Sequence, residues 1–315
     1  MRAMAIDSFG GLELLKATDV PRPRPEKGEV LIRIVAAGVN PVDNMMLRGL
    51  LKDVLPHAFP LIPGWDVAGV VEEFGEGATR FRKGDRVWAF AKKPILQLGC
   101  FAEYVSVPES SVAIMPSKLL FEEAAAVPVV GLTAFQALVE KHGLASGNTV
   151  LIHAAAGGVG SIGVQLARNA GARVLGTAGS GNQDFVAGLG ATAIDYTAED
   201  FAEAVRRYCP DGVDVVLDTI GGEVQAKSLE LVRPGGSLVS IVEPPDVQAA
   251  AARNVSARFL AAEPSAEQLG LLSSMYEQGA LKQPHLQKIY SLDQAAEALS
   301  VQAQGHVRGK LVLNL

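Results

Sequence analysis

The sequence predicts an α/β protein of two parts: a small β-barrel region and a doubly wound parallel sheet. Three observations predict it. Short apolar runs broken by glycine and proline fill the first 125 residues, strands alternate with helical patterns from about residue 127, and a glycine-rich turn joins the first of those strands to its helix. With 315 residues the chain exceeds the usual size of one domain, so two cores are expected. The expected limits are 1–126 with 267–315 for the first domain and 127–266 for the second.

In the first half the strand-like runs are Arg2–Asp7, Glu29–Ala37, Gly69–Phe74, Asp85–Phe90 and Phe101–Val107. Val30-Leu31-Ile32-Arg33-Ile34-Val35 carries a single charge, which suits a strand covered on most of both faces. Pro21-Arg22-Pro23-Arg24-Pro25 and Arg82-Lys83-Gly84-Asp85 supply turns.

In the second half strands are predicted at Thr149–Ala154, Arg173–Thr177, Thr192–Asp195, Asp214–Asp218, Ser237–Val242 and Arg258–Leu260. Gly158–Asn169 and Ala198–Arg207 carry helical apolar spacing, and Pro234-Gly235-Gly236 is expected as the turn that launches the fifth strand. An amphipathic helix near Ser265–Gln278 precedes Gly309-Lys310-Leu311-Val312-Leu313, a strand placed to return to the first domain.

A net charge of −6 and a sequence pI near 5.5 argue against a broad cationic surface, so neither nucleic acid nor anionic lipid is expected as a partner. Residues 119–139 are interrupted by Glu122, Glu123, Pro128 and Gly131 and make a poor membrane span. Met1-Arg2-Ala3-Met4-Ala5-Ile6-Asp7 lacks the apolar core of a secretory signal, so a cytoplasmic location is expected. Cys100 and Cys209 stand alone, outside any CxxC pair, and are expected as free thiols. The histidines His57, His142, His153, His285 and His306 show no ligand spacing, and His153, on a strand, reads as a packing residue.

The run from Val150 through His153-Ala154-Ala155-Ala156-Gly157-Gly158-Val159-Gly160 to Gly163 is a strand, a glycine turn and a helix start in succession. Gly157 would let backbone approach a pyrophosphate, Gly160 would let the helix pack closely on the sheet, and the amides of the helix N-terminus, with Ala155, Gly158 and Val159 in the turn, would face the anion. Ala155 replaces the usual first glycine. After the second strand the loop reads Gly176-Thr177-Ala178-Gly179-Ser180-Gly181-Asn182, without an acid to hydrogen-bond the adenosine ribose and repel a 2′-phosphate. Ser180 and Asn182, with Tyr196 beyond the third strand, carry polar groups able to bond phosphate oxygens, so NADPH is the expected cofactor. The alternative is a polar surface loop, since no Lys or Arg stands in it.

Taken with Ala37-Gly38-Val39-Asn40-Pro41-Val42-Asp43, Pro63-Gly64-Trp65-Asp66-Val67-Ala68-Gly69, Gly131-Leu132-Thr133-Ala134 and Val213-Asp214-Val215-Val216-Leu217-Asp218, these features give a clear resemblance. The chain resembles the zinc-independent, zeta-crystallin-like quinone oxidoreductase branch of the medium-chain dehydrogenase/reductase superfamily. The resemblance spans essentially the whole chain. It implies a GroES-like β-barrel catalytic domain, a Rossmann domain, and homodimers paired through edge strands of the Rossmann sheet. Zinc-dependent relatives place ligands where this chain has Asn40, Trp65 and Val127, so no metal is expected.

Without a metal the acceptor must already be electron-poor, which points to quinones and enones. Asn40 would hydrogen-bond the acceptor oxygen or serve as a turn residue before Pro41. Asp43 would order water or act as a helix N-terminal acid. Thr133 resembles a threonine near the nicotinamide ribose, or is a helix-start hydroxyl. Ile220 and Val242 follow the fourth and fifth strands, where ligands bind in this architecture. Lys310 resembles a pyrophosphate-contacting residue, or is a surface lysine. Tyrosines that relatives carry after Asn40 are replaced by Met45 and Leu51, which makes proton delivery from water the expectation. The rival activities are reduction of the C=C bond of alkenals, enones or acrylates, and a structural or interaction protein that binds NADPH with incidental activity.

Overall fold

The computed structural model describes residues 1–140 and 144–315, so His142 lies outside the described residues. It divides into two compact units, Met1–Leu132 with Glu263–Leu315, and Thr133–Ala262. The breaks thus fall at 132/133 and 262/263 rather than at 126/127 and 266/267.

The second unit is built on one six-stranded parallel sheet. Its strands are β1 (Thr149–Ile152), β2 (Arg173–Ala178), β3 (Thr192–Asp195), β4 (Val213–Asp218), β5 (Val232–Ser240) and β6 (Ser256–Phe259). They lie in the order β3-β2-β1-β4-β5-β6, with the reversal between β1 and β4 that marks a ligand-binding crevice in such sheets. Alternate residues serve opposite faces. Val150, Ile152, Val174, Val215 and Leu217 enter one apolar cluster, while Leu151, Leu175, Val216 and Leu238 enter the other. Burial on both faces explains why these strands read as continuous apolar runs.

Two expectations are corrected here. β5 begins at Val232, and Pro234-Gly235-Gly236 lies inside it: the register on β4 jumps from Val213↔Val232 to Val215↔Ser237, so the glycines form an irregularity within the strand. The helix expected from Ala198 starts at Phe201, because Asp200 caps it by accepting from Ala202 N and Glu203 N. Ala198 and Glu199 belong to the turn after β3, donating to Asp195 O.

The first unit holds a seven-stranded sheet. Leu286–Ser291, Lys310–Asn314, Glu29–Val39, Asp66–Phe74, Arg86–Phe90 and Val112–Ile114 follow one another across it, and Tyr104–Pro108 also pairs with Glu29–Val39. The C-terminal strand does return, antiparallel to Glu29–Val39 with Leu311 opposite Val39. Phe101 is not in a strand, contrary to expectation. It is fully buried in a loop, its N donating to Pro63 O and its O accepting from Met4 N. The helix near 265 spans Ala266–Gln278, capped by Ser265 Oγ, which accepts from Gln268 N at 3.2 Å, and ended by Gly279 in the left-handed region at φ 75°. No described helix is long and apolar enough to cross a membrane.

His153 follows β1, buried against the Phe201 ring with centroids 5.0 Å apart. Ser228 Oγ spends its hydrogen on Val224 O, so it accepts from His153 Nε2 at 2.7 Å, and Nδ1 accepts from Thr177 Oγ1 at 3.0 Å. Burial lowers its pKa from 6.5 to about 4, against a smaller opposing pull from Asp218. The unfolded chain therefore binds the proton first as pH falls. Wild-type unfolding free energy, measured relative to a His153→Gln variant, should hold steady above pH 6.5 and drop by up to about 3 kcal/mol between pH 6.5 and 4. Parallel pH profiles of the two proteins would refute a buried neutral imidazole.

Candidate functional site

In the first unit the sequence brings four polar side chains into an apolar interior. The strand Glu29–Val39 ends at Asn40, which begins the short helix Pro41–Leu47, and Asp66 opens the neighbouring strand. Lys310 opens the C-terminal strand that pairs beside them. Its ammonium, 5% exposed as a residue, donates to Asn40 Oδ1 at 2.6 Å, Val39 O at 2.7 Å and Asp66 Oδ2 at 3.3 Å. Those three bonds use all three of its N–H groups. Lys310 is thus neither a surface lysine nor a group free to meet a pyrophosphate, because its charge is spent inside the unit.

Asn40 is 2% exposed. Its Nδ2 donates to Asp66 Oδ2 at 2.7 Å while its Oδ1 takes the Lys310 bond. Both polar ends of the amide are engaged inside the cluster, and a residue expected to face an acceptor instead ties the helix start to the C-terminal strand. Asp66 Oδ1 accepts from Val129 N at 2.6 Å. Asp43 is fully buried and behaves as the helix N-terminal acid, its Oδ2 accepting from Asn40 N at 2.8 Å and its Oδ1 from Gly64 N at 3.2 Å.

Glycines make room for these acids. A Cβ on Gly38 would stand 2.4 Å from Ala125 O and 2.7 Å from Asp66 Oδ2. Gly64, at φ +99°, turns its N–H to Asp43 in a conformation that L residues rarely adopt, and a Cβ there would strike the Phe101 ring at 2.5 Å.

Burial dominates the acid–base state of the cluster. It raises the Asp43 pKa from 3.8 to about 7, a rise restrained by the Asn40 amide and the Lys310 charge. It also raises Asp66 and lowers Lys310, with their mutual attraction restraining both. Cys100 nearby is held as a thiol by burial, then by Asp66 and Asp43.

The positions that carry zinc ligands in zinc-dependent relatives do not fit a metal. Asn40 is tied up as described, Trp65 packs on Phe90 at 5.6 Å between centroids, and Val127 is fully buried. None offers a thiolate or an imidazole. Among the described residues no group of three or more His, Cys, Asp or Glu could hold a metal ion.

In the second unit the glycine turn follows β1. Ala155 N donates to Thr177 O and Gly157 N to Ala154 O, after which the twelve-residue helix Gly158–Asn169 begins. A Cβ on Gly160 would lie 2.3 Å from Ala154 O and 2.7 Å from Ala155 Cα, so the helix can pack this closely only on glycine. Ala155 is accommodated because Gly176 leaves space opposite it: a Cβ there would sit 2.8 Å from Ala155 Cβ. At Gly157 a Cβ would meet only Ala154 O, at 3.3 Å. Gly157, Gly158, Val159 and Gly160 thus present backbone that fits a pyrophosphate at a helix N-terminus.

Around this turn Ile220 and Val242 are each 49% exposed, just beyond the carboxyl ends of β4 and β5. Ile220 N and Gly221 N bond Asp218 Oδ1, and Val242 N lies 3.3 Å from Ser240 Oγ. Thr133 is the sixth residue of the helix Pro128–Phe135 and buried, so it is not a helix-start hydroxyl.

The nucleotide loop needs a correction. Ser180 Oγ donates to Asp195 Oδ2 at 2.5 Å, so an acid from the end of β3 does stand at the end of β2. Ser180, expected to bond a phosphate oxygen, gives its hydrogen to Asp195. Asn182 ends the short turn Ser180–Asn182, and Tyr196 is exposed beside Gly179. Sequence reasoning did not single out Asp66 or Asp195. The available signals were an acid within the apolar run Trp65-Asp66-Val67-Ala68 and an acid closing the third strand.

An alcohol dehydrogenase GroES-like domain model matches residues 26–117, and a zinc-binding dehydrogenase model matches residues 189–313. The chain is 33% identical to quinone oxidoreductase of Homo sapiens, covering 100% of this chain and 98% of that one. It belongs to the quinone oxidoreductase branch of the medium-chain dehydrogenase/reductase superfamily. Within this oxidoreductase family it is also 36% identical to 2-methylene-furan-3-one reductase of Solanum lycopersicum, over 100% of this chain and 79% of that protein. The structure of Escherichia coli quinone oxidoreductase complexed with NADPH superposes with a TM-score of 0.90 at 26% identity, covering 100% of both chains. The two units are accordingly the GroES-like and Rossmann-type parts of the family fold.

Replacing Lys310 with Met leaves two buried acids without their counter-charge. Lys310→Met should lower the unfolding free energy of the first unit by about 3–5 kcal/mol. Adding Asp66→Asn should recover part of that loss, and thermal denaturation of the three proteins checks both outcomes.

Proposed function

We propose that this chain is a reductase that takes a hydride from a bound nicotinamide dinucleotide and delivers it, without zinc, to a quinone or a similarly electron-poor carbonyl acceptor. The observation that carries the reading is the donor set at Asn40, Trp65 and Val127. An amide already bonded to Asp66 and Lys310, an indole and an isopropyl group supply no Lewis acid, so the acceptor must bring its own electron deficiency. The 33% identity to a quinone oxidoreductase supports the acceptor class.

When bound, the dinucleotide supplies the hydride. Gly158, Val159 and Gly160 would hold its pyrophosphate with backbone N–H groups of the helix start, with Gly157 leaving room for its approach, and the exposed residues Ile220 and Val242 would border its nicotinamide end. Thr133 is assigned beside the nicotinamide ribose. Asn40 and Asp43 act as positioning residues, fixing the start of the helix Pro41–Leu47 through Asp66, Lys310 and Gly64. Met45, exposed on that helix, and Leu51, packed against the core, leave protonation of the reduced acceptor to water. The reading includes a homodimer, assigned to an edge strand of the parallel sheet, with β6 the favoured edge because it ends at the exposed Phe259.

Reduction of a conjugated C=C bond is the second reading, favoured by the 36% identity to a furanone reductase and by the apolar Met45 and Leu51. Steady-state rates with a benzoquinone and with an alkenal, measured side by side, rank the two: faster benzoquinone reduction is expected, and a faster alkenal would give C=C reduction precedence. Tight dinucleotide binding with no oxidation by either acceptor would leave a binding protein. Asn40→Ala should lower kcat on the order of 10- to 100-fold with a smaller effect on dinucleotide affinity, and unchanged turnover would remove the cluster from the mechanism.

A further inference from the structure

We propose that Asp195 turns the dinucleotide site of this chain toward NADH and away from NADPH. The inference rests on the reading of the second unit as a dinucleotide site, and it reverses the cofactor expected from the loop alone.

β2 and β3 end side by side, with Ala178 paired to Asp195. Their shared carboxyl edge is where sheets of this topology meet the adenosine ribose. Ser180 Oγ donates to Asp195 Oδ2 at 2.5 Å, and Thr197 Oγ1 and N donate to Oδ1 at 2.6 and 2.9 Å. These bonds fix the carboxylate at the end of β2. They also hold its pKa below the ordinary carboxylate range, so it is charged at neutral pH.

Each hydroxyl has one hydrogen, and both hydrogens go to Asp195. What the Ser180–Asp195–Thr197 group offers a ligand is a negative charge and oxygen acceptors. A ribose 2′-hydroxyl is a donor and matches it. A 2′-phosphate is a dianion made of acceptors and needs cations or N–H groups instead.

The local sequence offers no compensating cation. From Val174 to Val205 the sequence holds no Lys, Arg or His, while Asp184, Asp195, Glu199, Asp200 and Glu203 are acids. The flanking Arg173 reaches Tyr208 O, and Arg206 lies 3.6 Å from Glu230. No cation is among the groups that set the acidity of Asp195. The neighbouring donors the loop offers, the Tyr196 hydroxyl 3.7 Å from the place of a Gly179 Cβ and the Asn182 amide, carry no positive charge.

The test is direct titration of the full-length protein with NADH and with NADPH, followed by nicotinamide fluorescence, and with 5′-AMP and 2′,5′-ADP, followed by calorimetry. NADH should bind at least about tenfold more tightly than NADPH, and 5′-AMP more tightly than 2′,5′-ADP. Asp195→Asn keeps the shape and removes the charge, so the NADPH-to-NADH ratio of dissociation constants should fall several-fold. Thr197→Arg, which supplies a cation and leaves Asp195 in place, should lower that ratio as well and guards against misfolding of the first variant. Equal or tighter binding of NADPH by the wild type would overturn the assignment of Asp195 while leaving the dinucleotide site intact. Binding of neither dinucleotide would overturn the site reading itself, and this inference with it.

Discussion

The ammonium of Lys310 links, through one buried side chain, three strands that otherwise meet only through neighbouring backbone ladders. It joins the C-terminal strand to the end of Glu29–Val39 and to Asp66, across 271 and 244 residues of sequence. A buried charge is stable only where its hydrogen bonds are complete, and here they are: three acceptors for three donors. The same requirement dictates the rest of the neighbourhood. Asp66 must be buried to meet the ammonium, Gly38 must lack a side chain to admit Asp66, and Asn40 must span the two.

This arrangement occupies ground that a metal would use in zinc-dependent relatives. A zinc ion polarises what it binds, whereas an ammonium with its three hydrogens spent polarises only its own partners. The cluster is therefore scaffolding for the first unit. The second unit makes a parallel choice at its nucleotide loop, where two hydroxyls are given to Asp195 rather than left for a ligand.

Much of the fold is legible in the sequence because local pattern and tertiary burial agree. The β1 to β6 order follows from apolar runs separated by helices, and the close approach at Gly160 follows from its place in the turn. What escapes is set by contacts between distant segments. Nothing local tells that Lys310 points inward, since its partners lie at positions 39, 40 and 66. Asp195 escapes for a related reason: the residues of the loop after β2 carry no acid, and the neighbouring strand end supplies the charge. Pro234-Gly235-Gly236 misled because glycine marks a bulge within a strand as readily as a turn before one. Asp43 is legible as a helix N-terminal acid, whereas Asp200, inside the helix expected from Ala198, is its cap, because a cap is defined by which backbone N–H groups turn toward it.

The length of chain between Lys310 and its partners has a consequence for synthesis. Residues 1–132 leave a ribosome well before Lys310 is made, and in that interval Asp43 and Asp66 have no ammonium to accompany them into an interior. Thr133–Ala262 is continuous, and all six strands of its sheet are present once it has emerged. The first unit, by contrast, lacks the strands Leu286–Ser291 and Lys310–Asn314 of its sheet, and the partner of its buried acids, until the second has been made in full.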